Sequence, residues 1–100
     1  MAYQHIVLFQ FLETAPTRAV SQVPADFAAL KDKLPAIQSF SHGRNISPEN
    51  LAQGFTHCFE LRFASQKEFL ESYLHEPAHQ AFVKSLDGLL EKALVFDYEI

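Results

Sequence analysis

The sequence is poor in the features that mark secreted and membrane-spanning proteins. It contains a single cysteine, Cys58, which excludes an intramolecular disulfide and a cysteine-based zinc cluster. Its N-terminus has no basic segment followed by a long apolar run, and no apolar stretch approaches the roughly 20 residues of a spanning helix. We therefore predict a soluble protein without a signal peptide or a membrane partner, located in the reducing environment of the cytoplasm.

Positive charge is also scarce. The formal net charge is −4, and lysine and arginine form no run, so the surface expected of a nucleic-acid-binding protein is missing. Only 3 glycines are present, and neither a Walker motif nor a dinucleotide-binding fingerprint occurs. These absences predict that the protein has no nucleic-acid partner and uses no cofactor.

Phenylalanine, in contrast, is abundant. Ten phenylalanines occur among 100 residues, and 48% of the chain is apolar. A chain of this length can bury one core without disulfide or metal staples. Ten phenylalanines exceed what such a core easily holds, so we expect some of them to line a cavity or a subunit interface.

The first half of the chain predicts two strong strands with a helix and a short strand between them. Side chains alternate between two faces over residues 3–11 and, more sharply, over residues 55–63. Apolar residues at three- and four-residue spacing predict a helix over residues 24–34, with Pro24 in its first turn. A short strand is predicted over residues 37–43.

The second half predicts two helices and a closing strand. Ser65 and Glu68 have the spacing of a capping box, the chain breaks before Pro77, and residues 93–99 favour a strand. The element order is β-α-β-β-α-α-β, without repeats or linkers. It predicts a single α+β domain over residues 1–100, a ferredoxin-like sandwich with its helices on one face of the sheet.

Such a sheet has a second face to cover. We expect the helices to pack on the face that carries His5 and His57, because their strand neighbours there are apolar. The opposite face still carries Ile6, Leu8 and Cys58. A homodimer packed sheet against sheet would bury these residues and protect the sheet edges.

Five segments carry a resemblance to a known family. They are HIVLF (5–9), FSHGRN (40–45), GFTH (54–57), YLHEPAH (73–79) and DY (97–98). In this order and spacing the chain resembles the stress-responsive dimeric α/β-barrel (Dabb) domains over nearly its whole length. The resemblance implies a homodimer whose two sheets form a central barrel, with a cavity between each sheet and its helices.

One family member, a plant polyketide cyclase, implies specific site residues. Its catalytic tyrosine and histidine correspond to Tyr73 and His79, and its cleft histidines correspond to His5 and His57. The sequence departs from that enzyme at Phe27, where the cyclase has a pocket tyrosine. The cavity is therefore expected to be less polar or shaped for another ligand. The resemblance does not imply that this protein catalyses the cyclase reaction.

The residues themselves favour acid–base chemistry. His79 lies in the first turn of a helix that begins at Pro77, where the positive end of the helix dipole disfavours an imidazolium ion. A neutral imidazole suits general-base work near neutral pH, and Tyr73 is placed to donate a proton or orient an oxygen. The predicted site comprises the catalytic residues His79 and Tyr73 and the ligand-binding residues His5, His57, Phe9, Phe27 and Phe59.

Three functions stay open at this point. The leading hypothesis is a homodimer that binds a small, largely apolar molecule, aromatic or polyketide-like, with acid–base chemistry on a carbonyl or phenolic compound. One alternative is a non-catalytic structural or stress-protective dimer in which the histidines serve packing. The other is a cofactor-light or haem-related monooxygenase of the same superfamily. The histidine spacing lacks the HxH and HxxxH patterns of metal ligands, so no metal site is predicted.

Overall fold

The computed structural model describes all 100 residues, with four strands in one antiparallel sheet. The strands are β1 (Tyr3–Phe11), β2 (Ser39–Arg44), β3 (His57–Phe63) and β4 (Leu90–Glu99). Their order across the sheet is β2-β3-β1-β4, which places β1 and β3 in the centre and leaves β2 and β4 at the edges. This order confirms the predicted ferredoxin-like α+β fold.

Three helical segments connect the strands. Helix α1 (Thr17–Lys33) follows β1; α2 (Gln66–Phe69) continues into the π-helical turn Leu70–Leu74; and α3 (Pro77–Ser85) precedes β4. The predicted cap is confirmed, since the Glu68 amide donates to Oγ of Ser65 over 3.2 Å. None of these helices has the length and apolar character needed to cross a membrane.

The predicted start of α1 is wrong. The helix begins at Thr17, and Pro24 lies inside it instead of in its first turn. Proline in a helix interior lacks the N–H that would bond four residues back. The helix continues past this gap because Val23, Phe27 and Leu30 are all buried along one of its faces. Tertiary packing therefore overrides the local signal that proline gives.

Other boundaries shift by a few residues. Ile37 is buried within the turn after α1, so β2 begins after it, and β3 begins at His57 instead of residue 55. Helix α3 ends at Ser85, and Leu90 starts β4. The closing strand therefore begins three residues before the predicted residue 93.

The two faces of the sheet differ in burial. Tyr3, His5, Val7 and Phe9 alternate along β1 on the helix-facing side, and each is buried, as predicted. The outer face has no covering layer in the single chain, so Phe96 there is 61% exposed. The helices also leave β4 partly open on their own side. This gap between β4 and the helical layer creates a cleft.

Candidate functional site

The cleft lies between α3 with the preceding π-helical turn on one side and strands β1 and β4 on the other. Its volume is about 480 Å³, within the range of small-molecule sites, and 12 of its 15 lining residues are hydrophobic. Five of the predicted site residues line it: His5, Phe9, Phe27, Tyr73 and His79. The cleft therefore combines an apolar wall with a small polar group of side chains.

Tyr73 lies on the π-helical turn and is completely buried. Its ring packs against Phe63 and Phe69, with centroid distances of 5.0 and 5.6 Å. Its hydroxyl is buried without any hydrogen-bond partner. Burial, helped by the negative charge of Asp97, raises the pKa of Tyr73 well above its ordinary value. The side chain therefore stays protonated and presents an unused O–H donor.

His79 lies in the first turn of α3, with its ring centroid 4.3 Å from that of Tyr73. Its Nδ1 donates to the carbonyl oxygen of Leu74 over 2.9 Å. A carbonyl can only accept, so the hydrogen of the neutral ring is on Nδ1 and Nε2 carries a free lone pair. Burial lowers the pKa of His79, although the bond to Leu74 opposes this shift. His79 is therefore a neutral proton acceptor at neutral pH.

His5 is held by a carboxylate on the neighbouring strand. The antiparallel register of β1 and β4 places His5 opposite Asp97. Nδ1 of His5 donates to Oδ1 of Asp97 over 2.6 Å, and the Tyr3 hydroxyl donates to Oδ2 over 2.6 Å. Burial and this bond to Asp97 raise the pKa of Tyr3 to about 12. The carboxylate thus orients the imidazole, as second-sphere carboxylates do for catalytic and metal-binding histidines.

Asp97 is the polar residue of this cleft that was not predicted as a site residue, although it belongs to the DY segment of the family resemblance. Its signal is a carboxylate directly after the apolar run of residues 93–96, on the same face as Ala93 and Val95. A charged group on a covered face needs a partner. That partner could not be named from the sequence, because it depends on the register of β4 against β1.

The structure places His57 and Phe59 outside the cleft, which corrects their assignment to it. Along β1, His5 pairs with Leu61 of β3, whereas His57 pairs with Phe9. The four-residue offset separates the two histidines by about 13 Å along the strand direction. Phe59 faces the helices but is a fully buried core residue. The expected convergence of three histidines in one hollow is therefore not found.

The polar groups of the cleft offer proton transfer. They supply a neutral hydroxyl donor, an imidazole lone pair and a second imidazole oriented by a carboxylate. Nowhere in the chain do three or more His, Cys, Asp or Glu side chains come together in an arrangement that could hold a metal ion.

Comparison with known proteins gives matches over almost the whole chain. The family model of the stress responsive A/B barrel domain (Dabb) matches residues 3–100. The chain is 34% identical over 96 residues to the stress-response A/B barrel domain-containing protein HS1 of Arabidopsis thaliana, covering 96% of this chain and 87% of that protein. It is 28% identical to olivetolic acid cyclase of Cannabis sativa, covering 98% and 96% of the two chains.

Solved structures extend these matches to the fold. The hydroxynitrile lyase of Passiflora edulis superposes with a TM-score of 0.91 at 29% identity, covering 99% of this chain and 93% of that one. A dimeric protein of unknown function and ferredoxin-like fold from Bacteroides fragilis superposes with a TM-score of 0.76 at 25% identity, covering 99% and 96%. The chain therefore belongs to the family of stress-responsive A/B barrel (Dabb) domains.

Proposed function

We propose that the protein is a homodimer whose cleft binds a small, largely apolar carbonyl or phenolic compound and moves a proton at its oxygen. In this proposal Tyr73 donates a hydrogen bond or a proton to that oxygen, and His79 is the general base. The observation that carries it is the Tyr73 hydroxyl, which is buried at the cleft without a partner in the protein.

A buried hydroxyl without a partner is energetically unfavourable. Leaving such a donor unsatisfied costs about 1–3 kcal/mol relative to a hydrogen-bonded one. A ligand oxygen in the cleft would remove this cost by accepting from Tyr73. The same oxygen would then lie beside the imidazole of His79, whose Nε2 has no partner in the protein. Donor and acceptor would thus serve one reacting group.

The remainder of the cleft supports an apolar body on the ligand. Aromatic and aliphatic side chains of α1, α3 and β4 form most of its wall, among them Phe27, Phe82, Leu86 and Val95. The His5–Asp97 pair provides a second polar contact at the same end as Tyr73. A compound with one polar end and one apolar end matches this distribution.

Two similar proteins support the choice of reaction class. One is named a hydroxynitrile lyase and the other a cyclase. When a hydroxynitrile is cleaved, its hydroxyl loses a proton, its carbon–cyanide bond breaks, and the departing cyanide takes up a proton. In such a step His79 would take the hydroxyl proton and, as the imidazolium, return it to the departing cyanide, while Tyr73 donates a hydrogen bond to the oxygen. An aromatic hydroxynitrile is therefore a suitable first substrate.

The outer face of the sheet supports the dimeric part of the proposal. Leu94, Phe96 and Tyr98 of β4 are exposed there beside the half-buried Ile6 and Leu8 of β1. A contiguous apolar sheet face is unusual on a monomer and typical of a subunit interface. The similar protein from Bacteroides fragilis is described as dimeric. We infer that two copies pack through these outer faces.

The test measures turnover and binding with matched histidine variants. Purified protein is incubated with mandelonitrile, and benzaldehyde release is followed by ultraviolet absorbance. Benzaldehyde and acetophenone are titrated in parallel by ¹H–¹⁵N NMR. We expect His79→Gln to lower turnover by at least about 100-fold, the usual worth of a general base, and His75→Gln to preserve it.

Two outcomes would contradict the proposal. One is that neither carbonyl compound shifts the resonances of residues around the cleft and mandelonitrile is not cleaved, which is the expectation for a non-catalytic dimer. The other is that His79→Gln retains the turnover of the unmodified protein.

A further inference from the structure

A second cavity, of about 720 Å³, lies on the helix-facing side of the sheet where β1 ends and β3 begins. It opens between the first half of α1 and the ends of β2 and β3. In contrast to the cleft, only 4 of its 14 lining residues are hydrophobic. Thr17 and Ser21 line it on the side of α1. Its polar lining suits a different kind of ligand from that of the cleft.

Three side chains that can carry positive charge meet in this cavity. His42 and Arg44 lie on the same face of β2, and Arg44 pairs with His57 across the β2–β3 register. Both imidazole rings stack nearly parallel to Phe59, with centroid distances of 5.8 and 6.5 Å. Arg44 has no carboxylate partner, since the single ion pair of the chain lies in the cleft. The guanidinium is thus available to an anion.

The state of His57 depends on the charges around it. Its Nδ1 lies 2.7 Å from Oγ1 of Thr56, which leaves Nε2 without a partner in the protein. Burial lowers the pKa of His57, and the positive charges of Arg44 and His42 lower it further. Glu13 is the only carboxylate among the lining residues. An anion placed here would favour the imidazolium form, so its binding should take up a proton.

We propose that this cavity is a second binding site, for a small organic anion whose carboxylate or phosphate group binds Arg44 between His42 and His57. Phe11 and Val20 at its wall would contact the apolar part of the ligand. The site lies on the helix-facing side and is separate from the cleft, so it stands whether or not the cleft is catalytic. The net charge of −4 weakens nonspecific attraction of anions, so anion binding at this cavity can be distinguished from nonspecific binding.

The test compares charged and neutral ligands of one shape. Benzoate, phenyl phosphate and the neutral benzamide are titrated by ¹H–¹⁵N NMR at pH 6 and pH 8. We expect both anions to shift the amide resonances of residues 42–44 and 56–57, and benzamide to leave them unmoved. Affinity for benzoate, whose charge is the same at both pH values, should be higher at pH 6 by a few-fold, because a protonated His57 adds a second positive charge.

Two charge variants and a control make the site specific. Arg44→Gln should weaken benzoate binding by about tenfold or more, and Glu13→Gln should strengthen it. Lys67→Gln, which removes an equal charge from α2, should leave binding unchanged. The proposal is overturned if benzamide binds as well as benzoate, if neither anion shifts these resonances, or if Arg44→Gln and Lys67→Gln behave alike.

Discussion

Replacing Tyr73 by phenylalanine separates the contribution of its hydroxyl to function from the contribution of its ring to packing. The ring of Tyr73 is fully buried and packs against Phe63 and His79, whereas its hydroxyl has no partner in the protein. Tyr73→Phe removes the hydroxyl and keeps every ring contact. The substitution therefore tests the hydroxyl alone.

The expected effects on stability and on ligand binding have opposite signs. An unsatisfied buried polar group costs about 1–3 kcal/mol, so removing this one should raise the free energy of unfolding by about 1 kcal/mol. In a domain of about 100 residues, that gain raises Tm by roughly 4–8 °C. A ligand oxygen in the cleft would lose its donor, and affinity or turnover should fall by about tenfold or more. Such opposition is common where a site is built at the expense of stability.

Thermal unfolding followed by circular dichroism measures the first effect, and the benzaldehyde and mandelonitrile assays measure the second. Protein concentration is held constant, because the Tm of a dimer depends on it. A loss of about 1 kcal/mol or more in Tyr73→Phe would refute the reasoning, since the hydroxyl would then have a stabilising partner in solution. A stabilised variant with unchanged binding and turnover would refute its functional half.

Three further predictions test other parts of the structure. Because burial lowers the pKa of His79, the stability that this neutral ring contributes is present above its unfolded pKa of 6.5 and is lost as pH falls through its folded pKa. In urea unfolding between pH 7 and pH 4, His79→Gln should therefore lose less free energy of unfolding than the unmodified protein. An equal loss in the two proteins would contradict the assignment. Asp97→Asn should lower the pKa of Tyr3 from about 12 part of the way toward 10, measured by ultraviolet titration of the phenol. An unchanged value would show that Asp97 does not contribute to the shift. Phe96→Asp should yield monomers in size-exclusion chromatography with light scattering. The control is Leu70→Asp, which also replaces an exposed apolar residue but on the helical side, and this variant should stay dimeric. A dimeric Phe96→Asp would argue against the outer face as the interface.

Local signals predicted most of the fold correctly. Strand β1 follows the alternation of residues 3–11, and Ser65 caps its helix as its spacing to Glu68 indicates. The prediction failed at Pro24, where a local signal competes with tertiary packing. Proline favours the first turn of a helix, yet the buried Phe27 side of α1 is long enough to keep the helix intact around it.

For the candidate site, too, contacts between residues close in sequence could be predicted, and contacts between different strands could not. Tyr73 and His79 are six positions apart in one segment, and the break before Pro77 was visible in the sequence, so their proximity could be predicted. His5 and His57 lie on different strands. Alternation places both on the helix-facing side, which is correct. It says nothing about their level along the sheet.

That level is set by strand register, and register decides what each histidine can do. Pairing β1 with β4 brings His5 to the carboxylate of Asp97, whereas pairing β3 with β2 brings His57 to the guanidinium of Arg44. One imidazole is thereby oriented by a negative charge, whereas the pKa of the other is lowered by burial and further by the positive charge of Arg44. Two residues with the same local pattern thus belong to two sites of opposite electrostatic character. A shift of two residues in one of these strand pairings would keep every side chain on its face, because alternation has a period of two, and would dissolve the partnership that this pairing creates.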